Sequence, residues 1–235
     1  MEKIIYRSET RGKASYGWLN TRYSFSFANY YDPQRIHFGA LRVLNDDEIA
    51  GGTGFDLHPH DNMEIVTLVL EGELRHTDSM KNTEIIKPNE VQVMSAGTGI
   101  FHAEHNNLPG KTLKLFQVWV FPNEKNITPR YDQRFFDPAQ RKNKWQVLVG
   151  PEKGESLMIH QQAWFNRVDL FAGNKILYKT HGTNQGIFLF MISGEVCVGD
   201  DVLKERDAMG MWDTSEININ SEKDAELLLI EVPMF

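Results

Sequence analysis

Two pairs of side chains at matching spacing carry the chemistry of this chain. His58 and His60 stand two residues apart in GGTGFDLHPHDNMEIVTLVLEG, and His102 and Glu104 repeat that spacing in MSAGTGIFHAEHNN. In a strand, residues i and i+2 share a face and lie about 6.5 Å apart. Each pair can therefore turn two ligand groups toward one point. Two such pairs on facing strands would supply three imidazoles and one carboxylate. That donor set suits Fe(II), Mn(II), Ni(II), Cu(II) or Zn(II). An octahedral ion held by four protein groups keeps two positions open for a substrate. A single H-x-H is common in proteins, and Glu104 alone reads as a solvated charge. The weight lies in the two pairs together, each beside a Gly-rich turn.

The elements needed to position these pairs read as strands. Short runs rich in Val, Ile, Leu and Phe alternate with Gly, Asn, Asp and Pro. Strands are expected at 64–70, 90–94, 113–121, 175–179, 187–192 and 225–232, with no long helical periodicity. Many short strands at regular spacing predict an all-β sandwich or barrel. Pro59 removes a backbone donor, which puts the HPH stretch at a strand start, edge or rim.

The halves resemble one another. VTLVLEGELRHTD in the first matches FLFMISGEVCVGD in the second, and each places a Gly (Gly72, Gly194) where a tight turn needs positive φ. A turn cluster follows each, MSAGTGIFH and GMWDTSEIN. Tandem duplication explains the pattern. The polar stretch NEKNITPRYDQRFFDPAQRKNKW between them reads as a linker laid on the surface, with a boundary near Asp137–Asn143 and domains 1–137 and 138–235.

Other features narrow the function classes. Formal net charge is −7, which disfavours nonspecific binding to nucleic acid. MEKIIYRSETRGK lacks the apolar stretch of a secretory signal. The longest apolar run, Gly186 to Ser193, is too short to span a bilayer. A cytoplasmic protein without membrane contact is expected. The single cysteine, Cys197, forms no internal disulfide and is expected to be a buried small hydrophobe. There is no P-loop, dinucleotide fingerprint or G-x-S-x-G nucleophile motif. The aromatics Tyr23, Phe25, Phe27, Tyr30 and Tyr31 read as core or pocket lining. His37 and His76 lack a ligand-spaced partner, and His105 faces away from Glu104. His160 and His181 stand alone in a half with no H-x-H.

The motifs also carry a family resemblance. His58-x-His60-x3-Glu64 with Gly52 before it and Gly72 after it is similar to the first cupin motif. Gly99-x2-His102-x3-Asn106 is similar to the second. The gap from Glu64 to Gly72 is one residue longer than usual. HPH, TLVLEGELRHTDS, MSAGTGIFHAEHN and RGKASYGWLNTRYSFSFANYYDP resemble the pirin family, and the likeness runs on through ITPRYDQRFFD. It is strongest with bacterial pirin-like quercetin 2,3-dioxygenases and looser in the C-terminal half.

The resemblance implies a bicupin, two tandem jelly-roll β-barrels, with metal only in the first. Its ligands would fall on His58, His60, His102 and Glu104. Ordinary cupins would use the position of Glu64 instead. An even offset from His60 keeps Glu64 on the inner face if the strand is regular, where it could support the ligands. The implied cofactor is one divalent transition metal, Fe(II) foremost, with Mn, Ni, Co, Cu or Zn as alternatives. The implied activity is dioxygenase cleavage of a flavonol such as quercetin. Glu104 or Glu64 would take the hydroxyl proton, and dioxygen would open the ring with loss of carbon monoxide. The alternative is a metal- or redox-sensing regulator that meets a protein partner, which a metal-dependent pull-down without turnover would favour.

Overall fold

The computed structural model describes residues 1–235 and contains 22 strands and two short 3-10 turns. No helix is long and apolar enough to cross a membrane. The strands form two barrels of the same plan, each a seven-stranded sheet packed on a four-stranded one.

In the first barrel the large sheet runs Arg130–Phe135, Glu90–Ser95, Glu64–Glu71, Leu113–Val120, Leu41–Ile49, Leu19–Tyr23, Gly12–Ser15. The small sheet runs Gly54–His60, Ile100–Asn106, Leu74–Asp78, Thr83–Ile86. Val69, Leu113 and Leu115 of the large sheet pack on Leu74 and Ile86 of the small one. The second barrel repeats the order, with Gln185–Ser193 and Ala225–Pro233 central in its large sheet. Its small sheet runs Lys175–Lys179, Glu216–Asn220, Glu195–Val198, Asp201–Lys204.

The large sheets pack back to back. Val66, Leu68, Phe116 and Val118 meet Phe188, Phe190, Leu228 and Ile230 in one continuous core. This arrangement accounts for the apolar run after Gly186. Ile187, Leu189 and Met191 fill the second barrel, while Phe188, Phe190 and Ile192 fill the seam. A strand covered on both faces cannot alternate apolar with polar.

The expected strands form close to their expected ends, with Lys175–Lys179 coinciding and Leu113–Val120 stopping one residue early. Gly72 and Gly194 turn with φ of 86° and 80°. A Cβ at Gly194 would sit 2.2 Å from the Asp224 carbonyl, so this corner admits no side chain.

Two segments depart from the expected layout. The stretch between the halves is not only a surface linker, because Arg130–Phe135 pairs with Glu90–Ser95 and extends the first large sheet. Glu2–Tyr6, which a division at 137 assigns to the first half, pairs with Ala208–Trp212 in the second barrel. Each barrel thus has an edge strand satisfied by a segment from outside its own repeat. Pairing over 200 residues is a tertiary choice that local pattern does not encode.

Cys197 is only half-buried. Its run of apolar residues is two strands broken at Gly194, and Val196 and Val198 take the inward positions of the second.

Candidate metal centre

The small sheet of the first barrel brings the histidines together. Ile100–Asn106 pairs antiparallel with Gly54–His60, placing His102 opposite His58 and Ile100 opposite His60. All three imidazoles therefore lie on one face. Their ring centroids are 4.4 Å (His58–His102), 4.9 Å (His58–His60) and 4.9 Å (His60–His102) apart. Their ligating nitrogens lie within 4.8 Å of one another. Beyond His102 the register slips by one, so Glu104 faces Phe55 rather than Asp56. Such a bulge re-aims side chains beside it.

Hydrogen bonds decide which nitrogens are free. His58 Nδ1 donates to the Asp56 carbonyl at 2.7 Å. A carbonyl only accepts, so Nδ1 carries the hydrogen and Nε2 is bare. His102 Nδ1 lies 3.5 Å from His76 Nδ1, while its Nε2 is buried and has no partner. A buried nitrogen without a partner is costly unless something else engages it.

Electrostatics favour neutral rings at His60 and His102. Burial lowers the His60 pKa to about 4, helped by His58 and opposed by Asp61. Burial lowers His102 to about 2, reinforced by His58, His60 and His76. Neutral imidazole is the form that ligates a metal.

Glu104 is buried, and both its oxygens accept from Gln117 Nε2, at 2.7 and 2.6 Å. Gln117 Oε1 accepts in turn from Trp119 Nε1 at 3.1 Å, and the Trp119 ring packs edge-on to His60 at 4.9 Å. Burial raises the Glu104 carboxyl to about 8, the nearby Asp47 charge adds to this, and Gln117 opposes it. Glu104, His102 and His76 form a second group of ligand atoms within 4.8 Å. The four expected ligands thus assemble as two overlapping clusters that share His102. Three imidazoles, an acid and an orphaned Nε2 fit a divalent transition ion.

Glu64 does not join them. Its strand starts after a turn at Asp61–Met63, where Asn62 has φ of 45°, and this resets the alternation counted from His60. Ile65 packs inside the first barrel, whereas Val66 and Leu68 face the seam, and Glu64 shares their parity. Its carboxylate accepts from Ser95 Oγ at 2.8 Å and from the His160 backbone N–H at 3.1 Å. The expectation that it faces inward toward the ligands is overturned.

His76, given no role by spacing, is fully buried between His102 and Asp78. The signal for it was the H-x-D alternation in LRHTD. His105 pairs with exposed Asp56 at 3.3 Å. His37 Nδ1 donates to the Gly39 carbonyl of its own loop at 2.9 Å.

A pocket of about 260 Å³ lies near the cluster without being lined by any of its histidines or by Glu104; its walls are Tyr16, Trp18, Tyr23, Phe27 and Phe55, with Asp47 at its polar side. Phe55 lies 6.3 Å from the His58 ring, and Phe27 lies 5.3 Å from Trp119. Of the aromatic group in the sequence, Tyr23 and Phe27 thus line a pocket, Phe25 is core and Tyr31 is exposed. A larger cleft of about 690 Å³ on the second barrel, between Trp145, Trp164 and His181, shares no residue with the histidine cluster.

The second barrel lacks the ligands. His76, four residues past Gly72, pairs with Glu104, and Val198, four past Gly194, pairs with Ile219. Counted this way, Ile219 stands for Glu104, Ile217 for His102 and Tyr178 for His58. The space is taken by a closed network. The Glu231 carboxylate accepts from Tyr178 Oη at 2.6 Å and from His181 N and Nδ1 at 2.8 Å each.

Comparison with known proteins agrees with this plan. A family description, Pirin, matches residues 6–120, and a second, Quercetinase C-terminal cupin domain, matches 147–232. A quercetin 2,3-dioxygenase of Escherichia coli K12 is 41% identical, over 98% of this chain and 99% of that protein. A pirin-like protein of Caulobacter vibrioides is 39% identical over 94% of this chain and 95% of its own length. The crystal structure of the bacterial pirin YhhW from Escherichia coli in complex with nickel(II) matches with a TM-score of 0.94, at 38% identity and full coverage of both chains. Two barrels, one histidine cluster and these matches over the whole length show that the chain belongs to the pirin family of two-cupin proteins.

Proposed function

We propose that this chain is a metal-dependent dioxygenase of flavonols such as quercetin, with its ion held by His58, His60, His102 and Glu104. The observation that carries the reading is the buried, unpartnered Nε2 of His102, converging with His58 and His60, with an aromatic-walled pocket reached through Phe55, whose ring lies 6.3 Å from that of His58. Fe(II) is the expected native ion. Bound there, the ion would supply Lewis acidity toward a phenolic hydroxyl.

The chain's own residues would do the rest. Trp18, Tyr23, Phe27 and Phe55 would hold flat aromatic rings and exclude water. Gln117 holds Glu104 by both oxygens, so the acid is fixed where a hydroxyl proton would be taken up. Closely similar proteins bear the name quercetin 2,3-dioxygenase, which supports the substrate class. The reading includes a cytoplasmic location, a metal-bearing domain at 1–137, apart from Glu2–Tyr6, which pairs into the second barrel, and a metal-free one at 138–235.

Aerobic incubation of the metal-loaded protein with quercetin tests it. Loss of the flavonol with matching dioxygen uptake is expected. No loss with any of Fe, Mn, Ni, Co or Cu would count against it.

A further inference from the structure

His76 and Asp78 lie behind the histidine cluster, and nothing in a four-ligand site requires them. Both side chains have no exposure. They stand on Leu74–Asp78, the strand that pairs with Ile100–Asn106 on the side opposite His58, with Asp78 across from His102 and His76 across from Glu104.

The hydrogens along this line can be assigned from donors and acceptors. The Asp78 carboxylate receives four donors: the backbone N–H groups of Met80 (2.9 Å) and Asn82 (3.0 Å), Asn82 Nδ2 (2.8 Å) and His76 Nε2 (3.1 Å). A carboxylate so surrounded is an acceptor only, so His76 Nε2 carries the hydrogen. His76 Nδ1 is then bare. It faces Gln92 Nε2 at 3.4 Å and His102 Nδ1 at 3.5 Å, two long contacts that share its one lone pair. Two bare nitrogens at that distance would repel, so His102 Nδ1 must be the donor. That leaves His102 Nε2 without a hydrogen, which is the atom found buried and unpartnered.

We propose that Asp78 and His76 form a hydrogen-bond chain that holds His102 in the Nδ1–H tautomer and aims its bare Nε2 at the point shared with His58 and His60. His76 is thus a positioning residue that acts through His102. The proposal rests on the metal-centre reading given above and extends it outward by two residues. It parallels the way a ligand histidine's other nitrogen commonly donates to a carboxylate or carbonyl, as His58 does to Asp56. Here the acceptor is a second imidazole with the carboxylate behind it.

The alternative for a buried His–Asp pair is packing alone, and His76→Leu and His76→Gln separate the two. Leu has similar bulk but no acceptor. Gln can accept from His102 through Oε1 while donating to Asp78 through Nε2. Ni(II) affinity, measured by chelator competition, should fall about 10–100-fold in His76→Leu and recover in His76→Gln. Long-range ¹H–¹⁵N spectra of the metal-free wild-type protein should show His102 protonated at Nδ1. This spectrum needs no variant and no metal, so it decides the matter even if His76→Leu fails to fold. A wild-type His102 protonated at Nε2, or equal Ni(II) affinity in the Leu variant and the wild type, would overturn the proposal. Wild-type protein that binds no Ni(II) yet shows the Nδ1–H tautomer would instead count against the metal centre and leave the chain standing.

Discussion

The carboxylate of Glu64 accepts the backbone N–H of His160 at 3.1 Å, so a residue at the start of a first-barrel strand is bonded across the seam to the second half of the chain. Together with the bond from Ser95 Oγ, this makes Glu64 part of the joint between barrels rather than part of the ligand set.

Glu64 should make stability depend on pH in a defined direction. Burial raises its folded-state pKa to about 7 from an ordinary value near 4.5, with the His160, Ser95 and Arg130 contacts opposing the rise. The folded state therefore binds the proton more tightly than the unfolded one. The stability from this group is fully present below about pH 4.5 and is lost as pH rises through about 7. Glu64→Gln does not titrate and keeps an acceptor for His160. Urea unfolding of metal-free wild type and variant should show the wild type losing ground from pH 5 to 8, by about 3 kcal/mol at most. A pH-independent difference would contradict this. Metal content should be unchanged.

Glu104→Gln should separate stability from metal binding. An ionised carboxylate buried beside Asp47 is costly to the metal-free protein. Removing its charge should hold or raise metal-free stability at pH 8, by about 1–3 kcal/mol. Metal affinity should fall, because the one anionic group among the proposed ligands is gone. Calorimetric unfolding and metal titration of the same sample check both signs. A variant that is less stable and binds metal normally would contradict the assignment.

Tyr178→Phe should do the reverse. Glu231 is fully buried and would keep only the two His181 donors. Losing the Tyr178 bond to a charged acceptor should destabilise the protein by about 1.5–3 kcal/mol. Metal stoichiometry should not change, because the second barrel has Ile217 and Ile219 where the first has His102 and Glu104. Chemical unfolding and elemental analysis measure the two.

Much of the site is legible in the sequence because strand alternation is local. HPH and HAE each put two groups on one face, and the register of two paired strands does the rest. Where the structure departs from that reading, a non-local or irregular feature decides. The parity count to Glu64 fails because the turn around Asn62 interrupts the strand. His76 is passed over because its partners, His102 and Asp78, become neighbours through sheet pairing and an i+2 contact to an acid rather than to another ligand. The apolar run after Gly186 reads correctly as strand, and only the back-to-back sheets explain why it lacks polar residues. The crossing of Glu2–Tyr6 into the second barrel has no local signature at all.

His58, His60 and His102 are proposed to meet at one ion in the first barrel. Elemental analysis after reconstitution with Ni(II) tests this most directly, on wild type and on His58→Ala/His102→Ala. One equivalent per chain is expected in the wild type, with near-complete loss in the folded double variant. An undiminished metal content after removal of both imidazoles would contradict the account.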